Sequence, residues 1–539
     1  MSEADAARPG TDGRREYDWD SLVVGSGFGG GVAALRLAQS GRRVMVAEMG
    51  RRVSPADMRR AAGSPRHLLW MPEVGLRTGF FRQTVMRHMI ALAGVGVGGG
   101  SLVYAAVLLR PRDTFWGHSA WRSAGSDWAR ELEAPYVTAE RMLGMERNPF
   151  HGQQDAWMRQ AADSLGVGDT FGPVPQGIDF SACTRCGMCL SGCDVGAKNS
   201  VDRTYLAQAE RAGAVVRPRS KVQRITPIRR RSGTVEGYAV EMVDPLARRR
   251  ERAASRVTFT AREVILSAGV LGTVELLLAN RDRYGTLPDL SPAVGHGVLT
   301  NSEAFTAIMQ PRAALADGLD LRRDGTAITS DLWPDPHTHV TQNRLPDSYG
   351  INRFLMSPLV PGADRRQVTR DTFAHMVRHP GQVREGMRGR GWSARTTMLT
   401  VMQHDDPTSG VETPTLTLRY RKGPLGWMLG TSVPEGGRAP DTFLPAANDA
   451  GRAVARASGG TVYGSIGALL GVGATAHILG GARLGTDPTT SVVSPDHEVW
   501  GYPGMYVADG SVMPANVGVN PSLTITALAE RAMSALAGA

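Results

Sequence analysis

The sequence predicts an α/β fold: a discontinuous parallel-sheet (Rossmann-like) domain with a smaller sheet-based α+β domain inserted between its segments. Three observations predict it. Residues 20–38 read as a buried strand, a glycine turn and a helix. Further glycine-rich apolar loops recur near 96–101, 267–272, 480–481 and 510–518. Between them lie strand-like runs such as Thr396-Thr397-Met398-Leu399-Thr400-Val401-Met402. The 539 residues suit two to four domains at about 150 residues each.

Apolar residues make up 42% of the chain and 65 residues are glycine. That supports a large core and excludes a disordered chain. Aromatic residues are only 6%, which argues against a protein that stacks single-stranded nucleic acid. The net charge of +10, from 61 basic and 51 acidic residues, says little about partners. Lysine occurs only at 198, 221 and 422, so the basic excess is arginine and reads as codon bias in a GC-rich genome. The runs Arg229-Arg230-Arg231 and Arg248-Arg249-Arg250 read as loop edges. No binding fold accompanies them, and no nucleic-acid partner is expected.

Residues 1–16 are polar and lack the apolar core of a signal peptide. Arg14-Arg15 lead into Glu16-Tyr17-Asp18 rather than the apolar stretch of a twin-arginine signal. A cytoplasmic location is the expectation. Residues 90–109 carry no charge and are long enough to span a bilayer. Their glycines make a poor helix, at up to about 1 kcal/mol each relative to alanine. The stretch reads as a buried glycine loop beside a strand; residues 459–482 fail the same way, and no transmembrane segment is expected.

The first chemical motif is Gly25-Ser26-Gly27-Phe28-Gly29-Gly30, directly after the strand of residues 20–24. Gly25 permits the tight turn, Gly27 lets backbone approach a pyrophosphate, and Gly30 lets the helix pack close. The helix start offers free N–H groups to phosphate. A second strand over 43–48 ends in Glu48, at the distance expected for a carboxylate on the ribose hydroxyls. Strand, helix, strand and terminal acid together indicate a dinucleotide site. The distant glycine loops suggest one large cofactor touched by several segments, which favours FAD.

Further motifs follow in order: Gly96-Val97-Gly98-Gly99-Gly100-Ser101, then Glu263-Val264-Ile265-Leu266-Ser267-Ala268-Gly269, then His477-Ile478-Leu479-Gly480-Gly481-Ala482. The last run is Tyr506-Val507-Ala508-Asp509-Gly510 through Gly518-Val519-Asn520-Pro521-Ser522. Together they resemble the glucose–methanol–choline (GMC) oxidoreductases, especially their cholesterol-oxidase branch, over nearly the whole chain. The resemblance implies an FAD domain over 15–112, 200–300 and 470–539, and a substrate or cap domain over 113–180 and 301–469. It implies that Gly99 and Gly100 let the main chain approach the flavin ring, that Val222 meets adenine through its backbone, and that the turn to Asn520 and Pro521 lies under the flavin. Asp509, at a strand end, suits a ribityl or pyrophosphate group. Two departures stand out. Tyr104 takes the place of an Asn, which bears on the cavity floor, and Ile478 takes that of a Pro.

All four cysteines fall in the loop 181–200, as Cys183, Cys186, Cys189 and Cys193. The spacing C-x2-C-x2-C-x3-C with flanking glycines suits an iron–sulfur cluster held from one loop. Structural zinc usually takes two separated pairs, and two disulfides in so short a loop would be strained. In two-cluster ferredoxins the fourth cysteine serves the other cluster; here no further cysteine exists. The loop would therefore hold a 4Fe-4S cluster, or a 3Fe-4S cluster on three of the thiolates. Zinc and free structural thiols are the alternatives. Lys198 could favour a reduced cluster by its charge or serve as a structural cation.

The chemistry the resemblance implies is oxidation of a bulky apolar alcohol, such as a sterol, terpenoid or polyketide, to a carbonyl by hydride transfer to flavin. His477 is the candidate base or hydrogen-bond acceptor, and Asn520 would orient the substrate oxygen. Glu303 is a candidate base for a double-bond shift, as in cholesterol oxidases that isomerise their product, with a structural hydrogen-bonding role as its alternative. His404, in Gln403-His404-Asp405-Asp406, reads as a strand-end turn. A cluster carries single electrons, so a ferredoxin or cytochrome acceptor is expected. The alternatives are an oxygen-using oxidase/isomerase with a structural cysteine loop, and a catalytically silent FAD-binding scaffold.

Overall fold

The computed structural model describes residues 8–9, 15–125, 127–248, 250–362, 364–407, 413–423 and 426–538. Most of the polar N-terminal stretch, residues 1–7 and 10–14, lies outside the described residues, as does Arg249 of the second basic run.

The elements that build the site begin with β1 (Trp19–Val24), α1 (Phe28–Gln39) and β2 (Val44–Ala47). A hairpin of β3 (Phe81–Val85) and β4 (Met89–Gly94) follows, then α2 (Gln153–Ser164). Next come β5 (Val215–Arg217), β6 (Lys221–Arg229), β7 (Val235–Val243), β8 (Val257–Leu266) and α3 (Gly269–Leu278). The middle supplies β9 (Ala304–Met309), β10 (Ser330–Asp335), β11 (Thr338–Asn343), β12 (Met356–Pro358) and β13 (Thr396–Gln403). The last part holds α4 (Pro445–Ser458), β14 (Thr461–Ser465), β15 (Gly473–Thr475), β16 (Met505–Val507) and α5 (Ser522–Gly538).

Among the described residues a seven-stranded sheet runs β5-β2-β1-β8-β7-β6, with β16 also paired to β8. Strands β5, β2, β1, β8 and β16 are parallel, and β7 and β6 add an antiparallel edge. The parallel strands are continuous apolar runs, Leu22-Val23-Val24, Val44-Met45-Val46-Ala47 and Val264-Ile265-Leu266, all buried, as sheets covered on both faces require. Helix α1 covers one face and packs on α5. There Arg36 bonds the buried Glu530 at 2.7 Å, and the Tyr205 hydroxyl donates to the same carboxylate at 2.7 Å.

A second seven-stranded sheet among the described residues is antiparallel, in the order β12-β14-β9-β13-β11-β10 with the short strand Gly172–Pro173 at its edge. Its core joins Ile308, Val340, Leu399 and Val401 to Met158 of α2 and Val454 of α4. The fold is therefore the predicted α/β one, a parallel nucleotide-type sheet beside an antiparallel sheet. A third small sheet pairs β15 parallel to β4. The membrane-like stretch at 90–109 thus starts as strand β4 and turns through a 3-10 helix at Gly99–Leu102. Among the described residues no helix is long and apolar enough to cross a membrane.

Strand β16 is fixed from outside by His497. Its Nδ1 bonds Val507 O at 2.8 Å, while Nε2 is buried without a partner. Burial pushes the imidazole pKa down from 6.5 to about 4. The unfolded chain therefore binds the extra proton between those values, and stability falls as pH drops from 6.5 to about 4. His497 has φ +69°, which asparagine tolerates. In urea titrations His497→Asn should flatten this acid limb by up to about 1.4 kcal/mol per pH unit; an unchanged limb would assign it to other groups.

Candidate active site

Strand β1 runs into Gly25, whose φ is +97° and whose Cβ would lie 2.3 Å from Ser267 O; only glycine fits. Helix α1 then starts without a side-chain cap on Gly27, leaving first-turn N–H groups for an anion. Gly30 packs on the turn, where a Cβ would meet Gly25 O at 2.1 Å. Gly29, a position to which the sequence reading gave no task, is tighter: a Cβ would sit 1.5 Å from Ala508 O.

Glu48 follows β2 and is buried. Its carboxylate accepts from Ser26 Oγ at 2.7 Å, Ser26 N at 3.2 Å and Gly50 N at 2.8 Å. Burial raises its pKa and these bonds oppose the rise. Ser220 N donates to Glu48 O at 2.8 Å, which brings the chain to Val222 at the bulged start of β6. The second glycine loop abuts the first. Gly98 N donates to Ser26 Oγ at 3.1 Å, and Gly99, with φ +55°, would place a Cβ 2.7 Å from Gly27 Cα. A Cβ on Gly100 would meet nothing within 4 Å, so that side of the loop faces open space. Asp509, just past β16, is buried and accepts from Ser511 N at 2.9 Å and Thr273 Oγ1 at 2.5 Å. Burial pushes its carboxyl upward too.

Three distant segments deliver the candidate catalytic side chains. Glu303 immediately precedes β9, His477 lies two residues past β15, and Asn520 lies two residues before α5. Glu303 Oε2 accepts from Ala476 N at 2.7 Å and lies 3.3 Å from His477 Nδ1, without hydrogen-bond alignment. Asn520 Nδ2 stands 3.2 Å from His477 Nε2. Glu303 Oε1, His477 Nδ1 and Asn520 Oδ1 are all buried with no hydrogen-bond partner. Pro521 opens the turn into α5, its carbonyl accepting from Ile525 N at 2.9 Å. His404 sits just after β13, its Nδ1 bonded to Asp405 O at 3.0 Å, and burial lowers its pKa.

The GMC oxidoreductase family matches the chain at residues 20–281 and 445–529. A cholesterol oxidase of Mycobacterium tuberculosis is 37% identical over 545 residues, covering 96% of this chain and 91% of that one. A cholesterol oxidase of Acinetobacter baumannii is 33% identical over 545 residues, covering 96% and 94%. The chain belongs to the GMC oxidoreductase family. Its fold is also that of pyridoxine 4-oxidase from Mesorbium loti, with a TM-score of 0.64 at 16% identity over 95% of this chain and 98% of that one.

GMC oxidoreductases are FAD-dependent, and the residues present fit that group. The start of α1 is uncapped, Gly100 faces open space, and Asn520 Oδ1 and Asp202 Oδ1 are buried without partners. A Cβ on Gly98 would lie 3.1 Å from that same Asp202 oxygen.

The iron–sulfur cluster expected on this GMC chain at Cys183, Cys186, Cys189 and Cys193 finds no support. Among the described residues no group of three or more His, Cys, Asp or Glu side chains could hold a metal ion. Main-chain bonds shape the loop instead: Gly187 N to Gly325 O at 3.0 Å, and Gly192 N to Cys189 O and Gly196 N to Cys193 O at 3.2 Å each. Cys189 packs with Val107, Val174, Ile178 and Ile328 in a small apolar core. The charge of Lys198 goes to backbone rather than to sulfur. Its Nζ donates to Cys189 O at 2.7 Å, Leu102 O at 2.9 Å and Tyr104 O at 3.1 Å, tying the cysteine loop to the glycine loop. Tyr104, the departure from the family pattern, donates to Asn199 O at 2.7 Å and packs edge-on against Phe28.

Gly99→Ala should force the two glycine loops apart. The purified variant is expected to carry well below one FAD per chain by its 450 to 280 nm absorbance ratio. Full flavin content would show that the loop yields without affecting the site.

Proposed function

We propose that the chain oxidises the hydroxyl of a bulky, apolar, sterol-like alcohol to a carbonyl and passes the electrons to oxygen, with the cysteine loop as a structural element. The observation that carries this reading is the meeting of Glu303, His477 and Asn520, each leaving a buried polar atom unpartnered. Buried polar atoms are ordinarily paired, and here three open ones lie on side chains that meet at one point. Support for a sterol-like substrate comes from the relatives at 37% and 33% identity, both named cholesterol oxidase.

FAD, when bound, supplies the two-electron acceptor for the hydrogen on the carbinol carbon. Gly27, Gly30, Gly99 and Gly100 would hold it along the backbone, with Glu48 on the ribose and Val222 beside adenine. Asp509 and Pro521 would hold its middle and flavin end. Asn520 Nδ2 donates to the substrate oxygen and aims the carbinol. His477 Nε2 takes the hydroxyl proton as general base. Glu303 Oε2, 3.3 Å from Nδ1, balances the positive charge this leaves on the ring. The unpartnered Glu303 Oε1 favours a second activity of the same site. A carboxylate oxygen free beside the product could move a proton between carbons and shift a double bond. Oxygen is preferred to a ferredoxin or cytochrome as acceptor because the 37% and 33% identical relatives are named cholesterol oxidase, and no metal-ligand group of three or more side chains is found among the described residues.

His477→Ala should retain FAD and lower turnover by about 100-fold or more; full activity would remove the histidine from the reaction. With an unsaturated sterol, Glu303→Gln should release the unshifted ketone, whereas an unchanged product mixture would exclude the carboxylate from the shift. Peroxide should form mole for mole with carbonyl. Iron bound in anaerobically purified protein, reduced by the alcohol while peroxide stays absent, would overturn the oxygen assignment.

A further inference from the structure

We infer that Asn301 is a positioning residue that sets the spacing of Glu303, His477 and Asn520. The inference rests on the proposed roles of those three side chains. Asn301 is fully buried, and all four of its polar atoms are bonded across long stretches of chain. Its N–H donates to Asn516 Oδ1 at 2.9 Å. Its Oδ1 accepts from Gly518 N at 2.8 Å, and its Nδ2 donates to Val519 O at 3.0 Å. Its carbonyl accepts from Gln403 N at 3.2 Å. The two side-chain bonds hold the peptides directly ahead of Asn520, two residues before Glu303 on the other strand of the junction.

The backbone here is shaped for the task. Asn301 and Ser302 have φ of +55° and +42°, a left-handed pair that non-glycine residues seldom adopt. Such strain persists where surrounding bonds over-determine it. The pair turns the chain so that the Asn301 side chain faces residues 518–519 while the Glu303 carboxylate reaches Ala476 N. The neighbouring Thr300 carbonyl accepts from Thr475 Oγ1 at 3.0 Å, and the Thr475 hydroxyl oxygen in turn accepts from His477 N at 2.9 Å. Residues 300–303 therefore bond to the histidine segment on one side and the asparagine segment on the other. Asn301 closes the second link without reaching His477 or the Asn520 side chain.

Misplacing a reacting group by about 1 Å can cost 100-fold in rate. Asn301→Gly keeps the left-handed backbone and removes both side-chain bonds. It should retain FAD, leave KM for the alcohol within about threefold, and lower kcat by ten- to about 100-fold. In a His477→Ala background the same substitution should cost less than about threefold, because residues that act as a unit are not additive. A role in stability alone would leave kcat per bound FAD unchanged, or add in full to the His477 variant; either result overturns the inference. Asn516→Ala, which removes the bond to the Asn301 N–H, should lower kcat in the same direction. If neither variant folds with FAD, the pair is structural and the inference falls. Full activity in His477→Ala would instead defeat the reading of the site, and this inference with it. An inactive His477→Ala beside a wild-type kcat in Asn301→Gly defeats the inference alone.

Discussion

Strands β1, β8 and β16 end side by side, and their C-terminal backbones meet with no space for side chains between them. A Cβ on Gly25 would strike Ser267 O at 2.3 Å, and one on Gly29 would strike Ala508 O at 1.5 Å. Ser267 Oγ closes the junction by donating to Ala508 O at 2.7 Å. This close approach sets where α1 begins, and so where its free N–H groups point. It also places Glu48 and Asp509 on either side of the junction, as the residues directly after β2 and just past β16. Any widening here would move the phosphate end and both carboxylates together.

Buried polar groups divide into two kinds across the site. Glu48 and Asp509 are desolvated, yet each carboxylate is matched by several donors from its own neighbourhood. A buried charge is tolerated only with such compensation, and its cost is met inside the fold. Glu303, His477 and Asn520 are different, since each retains one polar atom with nothing to bond. Unsatisfied atoms of this kind cost stability, so three on side chains that meet favour a site that a ligand completes. The two cradle carboxylates are satisfied within the chain, whereas the three side chains proposed to act each keep an open atom.

Much of the cradle was legible in the sequence because its causes are local. Gly25, Gly27 and Gly30 follow from a strand that must turn into a helix within a few residues, and Glu48 follows from the end of the next strand. His477 and Asn520 were legible only through the family resemblance, since nothing local marks either one. The cysteine loop misled for a physical reason. Spacing reports which sulfurs are available, whereas a cluster needs a ligand geometry that no group of three or more such side chains offers among the described residues; Cys183, Cys189 and Cys193 instead share a small apolar core. Lys198 had two readings, and its three carbonyl partners decide for the structural one. Nothing in the sequence marks a task for Gly29, Ser26, Asn301 or Asn516. The contacts of Gly29, Asn301 and Asn516 lie hundreds of residues away in sequence, and the left-handed backbone of Asn301 is not marked by composition.

The proposed trio of Glu303, His477 and Asn520 draws on segments far apart in the chain. Glu303 is held by β9, which is paired on both sides, to β13 and β14, and so moves with the antiparallel sheet. His477 follows β15, which pairs with β4 in the small third sheet. Asn520 precedes α5, which is anchored to the parallel sheet's helix through Glu530 and Arg36. Each side chain thus reports the position of a different body. Alignment of the three is a statement about how those bodies meet, and a sheet-to-sheet shift too small to disturb any core would still separate them. The Thr475–Thr300 bond and the Asn301 bonds to residues 518–519 cross these boundaries at the point where the trio forms. Packing within each body makes the parts rigid, while these polar links, together with the paired main chains of Leu299 and Leu479, join the bodies at the trio.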